Sequence, residues 1–212
     1  MAKYFYERKL PHYQPPGVTF FVTYRLEGSI PMEKIREMQA DYKRLEQQLA
    51  GHSLSGKALF EAKTSLQEAC FEQTDHYLDK NLNEPYWLKE DRIASLIADS
   101  LHFLAQSKIE LWCFCIMSNH VHVLLDVKKE EDELFRIMQQ HKSFTAAKAN
   151  KILQRTGQFW ETESYDHIVR EGRFEKIVMY ILNNPVNAGL VKHWTEWKWT
   201  YLHPSLRDSF LL

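Results

Sequence analysis

The chain has 212 residues, 44% hydrophobic and 13% aromatic, with a formal net charge of −1. That much apolar material excludes global disorder and suits one domain, or one domain carrying an insertion. No apolar run approaches the roughly 20 residues a membrane helix needs, and the first residues lack the apolar stretch of a signal peptide, so a cytoplasmic protein with no membrane partner is expected.

Residues 17–26 are β-branched and aromatic, bounded by Pro15-Pro16 and Gly28, and read as a strand. Pro31 opens a helix over 32–49. A Gly/Ser/His loop at 51–56 separates it from a second helix over 58–78, which the 81–85 segment breaks. Ile93, Ile97, Leu101 and Leu104 recur at helical spacing, so 89–106 is a third helix. Residues 109–117 and 121–127 are strands joined through Ser118-Asn119 as a hairpin. Cys113 and Cys115 fall in the first of them and read as core thiols rather than ligands. With Cys70 they make an odd, sparse set, unlike a disulfide framework. A fourth helix is expected over 130–151, with Leu134, Met138, Phe144 and Ala147 inward. An aromatic loop with a short strand follows over 155–166, then a last helix over 173–183, stopped by Pro185. This order predicts an α+β fold: a ferredoxin-like antiparallel sheet with helices on one face. The whole chain is expected to be a single domain, 1–212, with a helical insertion at about 33–90.

The hairpin reads Met117-Ser-Asn-His120-Val-His122-Val-Leu-Leu-Asp126. Side chains alternate along a strand, so His120 and His122 share one face while Val121, Val123 and Leu125 form a core stripe on the other. Two imidazoles so placed can converge on one cation; the plainer reading is two polar residues on a solvent face.

The last helix carries Tyr180 and Asn184 four residues apart, on one side. Taken alone, these are a core aromatic and a helix-stop residue. Beside a His pair they complete a chemical set. A phenol attacking phosphorus needs a base or metal to favour phenolate. The phosphoryl oxygens need a cation. Two histidines and the Asn184 amide oxygen supply three protein ligands and leave positions open for substrate.

With those residues in view, the chain resembles the insertion-sequence-200-like transposases, and among them the REP-associated tyrosine transposases. The matching segments are Leu10-Pro-His-Tyr-Gln-Pro, Thr19-Phe-Phe-Val-Thr-Tyr-Arg25, Met117-Ser-Asn-His-Val-His-Val-Leu124, Lys142-Ser-Phe-Thr-Ala146, Gly157-Gln-Phe-Trp160, Tyr165-Asp-His-Ile-Val-Arg170 and Tyr180-Ile-Leu-Asn-Asn-Pro-Val-Asn-Ala-Gly-Leu190. The resemblance implies a ferredoxin-like fold and a substrate of single-stranded DNA with hairpin or palindromic repeats. It further implies Mg²⁺ or Mn²⁺ on His120, His122 and Asn184, with Tyr180 as nucleophile. Homodimers are among the family's forms. Residues 33–90 look longer and more helical than a minimal family core.

Tyr165, beside Asp166 and His167, is the competing nucleophile. Residues 136–198 carry ten Lys/Arg against six Asp/Glu, and residues 1–26 four against one. The expected DNA contacts are Arg8 and Lys9 in an N-terminal basic-aromatic arm, then Lys142, Lys148, Arg155, Trp160, Tyr165 and Arg170. Trp194, Trp197, Trp199 and Tyr201 alternate with polar residues, as a docking strand or a DNA contact would. A strand-transferring enzyme and a non-cleaving hairpin binder both fit. A metal hydrolase barrel does not, since it needs eight βα units.

Overall fold

The computed structural model describes residues 5–7, 11–13, 17–51, 55–80, 84–129 and 131–210. Two compact units emerge, one of residues 28–84 and one of 1–27 with 85–212. The first is a pair of helices, α1 (Met32–Gly51) and α2 (Gly56–Asp79). The unit of residues 28–84 overlaps the segment expected at about 33–90. Residues 87–90 belong to the other unit, where Trp87–Lys89 form a 3₁₀ turn whose Leu88 is buried.

In the second unit, β1 (Phe5–Glu7) and β2 (Pro11–Tyr13) form a two-stranded antiparallel ribbon. Then come β3 (Thr19–Arg25), α3 (Asp91–Ala105), β4 (Ile109–Ile116), β5 (His120–Val127), α4 (Leu134–Ile152) and β6 (Tyr165–Ile168). The strands are ordered β6-β3-β5-β4, all antiparallel. A βαββαβ chain in that order is the ferredoxin-like arrangement. The tail adds α5 (Phe174–Asn187), β7 (Thr200–Leu202), which pairs with the outer edge of β4, and the short α6 (Arg207–Phe210). Within the tryptophan-rich tail, Thr200–Leu202 thus docks as a strand on the sheet. Trp194 is buried and the Trp197 indole N–H donates to the Ile116 carbonyl.

Alternation sorts the sheet into two faces. Phe20, Val22, Tyr24, Val121, Val123 and Leu125 join Ile93, Ile97, Leu101, Leu134 and Ile137 of α3 and α4 in one core. Each fully buried aliphatic side chain there contributes about 1.5–3 kcal/mol. Phe21, Thr23, His120, His122 and Leu124 point the other way, and α5 packs on that second face. Helices on one face thus describes α3 and α4, while the last helix takes the opposite side.

Two helices differ from their sequence pattern. In α4 the inward residues are Leu134, Ile137, Met138, His141, Thr145 and Ala149, whereas Phe144 is 50% exposed and Ala147 is also outside. The hydrophobic count misses this phase because its inner stripe includes two polar residues. They are satisfied internally: His141 bridges the Tyr24 hydroxyl (Nε2, 2.8 Å) and the Ser100 hydroxyl (Nδ1, 2.8 Å), and Thr145 accepts the Trp160 indole N–H at 2.9 Å. Helix α5 does not stop at Pro185 but runs through it to Asn187. Proline costs the helix one N–H donor. So near its end the loss is slight, and Ala188 N–H still donates to the Asn184 carbonyl.

Candidate active site

The β4–β5 hairpin closes through the Met117 N–H to His120 C=O bond at 2.9 Å, which sets His120 as the first residue of β5. From there alternation places His120 and His122 on the α5 face, both fully buried. Their Nε2 atoms lie 3.1 Å apart. Nitrogens about 2.0–2.1 Å from one ion, near right angles, stand at that separation.

Each ring is also held from behind. His120 Nδ1 is 2.7 Å from the Asn119 side-chain oxygen, and His122 Nδ1 is 2.7 Å from the Thr23 hydroxyl. Register explains the second contact, because Thr23 is the cross-strand partner of His122. Burial pulls the His120 imidazole down to about 3 and His122 well below its ordinary value, with His120 further disfavouring charge on His122. Both rings are therefore neutral near pH 7, as metal ligands must be.

Helix α5 brings Tyr180 and Asn184 to this face. Val178, Ile181, Leu182 and Pro185 are buried and anchor the helix. The half-buried Tyr180 ring packs edge-on to Phe21 and His122, at centroid distances of 5.9 and 5.8 Å. Asn184 is fully buried, and neither its amide oxygen nor its nitrogen has a hydrogen-bond partner. It sits close enough to His120 to oppose that ring's shift, without the geometry of a hydrogen bond. An orphaned amide beside two convergent imidazoles fits a divalent ion, because a buried amide without a partner is otherwise a net cost of about 1–3 kcal/mol.

Tyr165 lies on the same sheet face but further off: it pairs with Thr23, and Thr23 in turn with His122. Its ring packs against His167, 5.3 Å away, while Asp166 alternates to the other face, so the expected Asp–His support is split.

The expected DNA contacts disperse. Trp160 is 4% exposed, lies against Tyr24 and donates its indole N–H to Thr145; it is a core residue, with no face free for a base. Lys142 donates to the Glu161 and Thr162 carbonyls and the Ser164 hydroxyl, pinning that loop to α4. Arg155 lies 4.0 Å over the Trp87 ring and donates to Asn150 and Gln158. Lys142 and Arg155 are thus both engaged by partners within the fold. Lys148 lies over Phe144, and Lys148 and Arg170 are exposed. Arg8 and Lys9 lie outside the described residues. Arg25 pairs with Glu161 at 2.9 Å. Sequence reasoning missed Thr23 and Asn119. Their signals were Thr23 between Phe21 and Arg25 in an alternating strand, and an amide directly preceding the His pair.

Fold and site together describe a ferredoxin-like α+β domain presenting two imidazoles, a phenol and a buried amide on one sheet face. Residues 87–184, the segment that carries all four of those side chains, match the family described as "Transposase IS200 like". No curated protein matches the chain significantly. Among solved structures, the chain is similar to one titled "Structure of the REP associates tyrosine transposase bound to a REP hairpin", at 15% identity, 94% of this chain, 82% of that one and a TM-score of 0.49.

Proposed function

We propose that this protein is a metal-dependent strand transferase that cleaves single-stranded DNA near hairpin or palindromic repeats, as a REP-associated tyrosine transposase. The observation that carries the reading is the Nε2 pair at 3.1 Å with the Tyr180 ring against His122. His120, His122 and the Asn184 oxygen would hold Mg²⁺ or Mn²⁺, which supplies positive charge to the non-bridging phosphate oxygens. Tyr180 loses its phenolic proton to water and its oxygen bonds to phosphorus. The P–O3′ bond breaks, and the departing 3′-oxygen takes up a proton. The strand stays on the protein as a 5′-phosphotyrosine ester, whose bond energy lets a second 3′-hydroxyl reclaim it.

The test is incubation of labelled hairpin-bearing single strands with the protein and Mn²⁺, followed by denaturing electrophoresis. The expected result is a covalent protein–DNA adduct that the Tyr180→Phe variant lacks while still binding the hairpin. An adduct persisting in that variant would transfer the role to Tyr165. Hairpin binding with no adduct from the unaltered protein would make the protein a binder.

A further inference from the structure

The two hydrogen bonds behind the histidine rings carry a second consequence. An amide oxygen can only accept, so the 2.7 Å contact from Asn119 requires His120 to carry its hydrogen on Nδ1, leaving the Nε2 lone pair bare. The Thr23 hydroxyl, 2.7 Å from His122 Nδ1, can accept in the same way while its own hydrogen rotates elsewhere. With Thr23 accepting, both Nε2 atoms present lone pairs to one point from 3.1 Å apart, the arrangement in which a cation binds both. Both partners are positioned by elements outside the His pair. Thr23 is fixed by the β3–β5 register, and Asn119 by the hairpin turn, whose carbonyl accepts the Leu26 N–H at 2.8 Å. Both are buried, so neither bond competes with water.

We infer that Thr23 and Asn119 are positioning residues that fix the two imidazoles in the Nδ1–H tautomer and so set the affinity of the His120–His122 pair for a divalent ion. The inference rests on the proposed metal role of that pair. Groups of this kind orient the ligand and raise its basicity, and losing one weakens metal affinity about 10–100-fold.

The test is Mn²⁺ binding by calorimetry to the full chain without DNA, on Thr23→Val, Asn119→Ala, the conservative Thr23→Ser and Asn119→Asp, and His120→Ala and His122→Ala as references. Val keeps the shape of Thr, and the Ser and Asp variants keep the acceptor oxygen. The expectation is a loss of about 10–100-fold for Thr23→Val and Asn119→Ala, substantial restoration in Thr23→Ser and Asn119→Asp, and no binding in the histidine variants. Ring ¹⁵N shifts of the Mg²⁺-loaded protein should show hydrogen on both Nδ1 atoms. If the histidine variants lose the ion while Thr23→Val and Asn119→Ala bind as the unaltered protein does, the positioning role is wrong and the metal site stands. Undiminished Mn²⁺ binding by the histidine variants would sink the metal reading itself.

Discussion

Asn184 places function and stability in opposition within one side chain. Its amide is fully buried without a partner, a state that destabilises the fold unless an ion takes up the oxygen. Asn184→Leu keeps the branching and removes the polar atoms. The expected outcome is a metal-free protein more stable by about 1–3 kcal/mol in urea unfolding, with weakened Mn²⁺ affinity. A variant less stable than the unaltered chain would mean that the amide has a structural partner. Trp160 makes the reverse case. Its ring sits among Tyr24 and Phe159, with its one donor satisfied. Trp160→Ala should cost about 3–5 kcal/mol of stability, while hairpin affinity of the folded fraction stays the same. A selective loss of DNA binding at unchanged stability would return Trp160 to the interface.

At the scale of elements, α5 gathers the proposed chemistry on one side. Lys176, Tyr180 and Asn184 recur every four residues, and Lys176 is exposed. Lys176 is thus a further cation, on the same side of α5 as Tyr180, for a phosphate beside the proposed nucleophile. Lys176→Ala should weaken single-strand binding and lower the slope of log affinity against log salt by about 0.7, an effect Lys142→Ala should not reproduce. An unchanged slope in Lys176→Ala would remove it from the interface. Strands β3, β4 and β5 and the His-bearing hairpin were legible in the sequence, because period-2 alternation and a polar two-residue break are local signals. The α4 phase was not, since burying His141 and Thr145 depends on partners in β3, α3 and the 160 region that no local pattern names. Nor was the passage of α5 through Pro185, where packing of Ile181, Leu182 and Pro185 itself outweighs a local helix-stop signal. Trp160, Lys142 and Arg155 are engaged within the fold for one reason: aromatic and basic side chains mark a core edge and its loop anchors as readily as a nucleic-acid surface.

For the molecule as a whole, a net charge of −1 leaves little long-range attraction to DNA, and the more general electrostatic signature is acid lability. Among the described residues, three histidines are buried and neutral. His120 and His141 are pulled down to about 3 and His122 well below its ordinary value, in each case chiefly by burial. In the unfolded chain these rings titrate near 6.5. Between that value and about 3 the native state binds fewer protons than the unfolded state, so stability is full above pH 6.5 and drains as pH falls through the window. Most carboxylates remain ionised down to about pH 5, while burial holds Asp75 well above its ordinary value and works in the opposite direction, so removal of one ring isolates the histidine contribution. Thermal melts in the presence of a chelator should show a falling midpoint across that interval, and His141→Asn, which removes one titrating ring away from the candidate metal site, should show a shallower fall. A His141→Asn profile with the same fall as the unaltered chain would mean that the His141 ring is not held neutral. Adding Mn²⁺ at neutral pH should raise the midpoint by mass action, about 2.7 kcal/mol at a hundredfold excess over Kd. That gain should vanish in His120→Ala, because an ion that stabilises only through the His pair has no other hold on the native state.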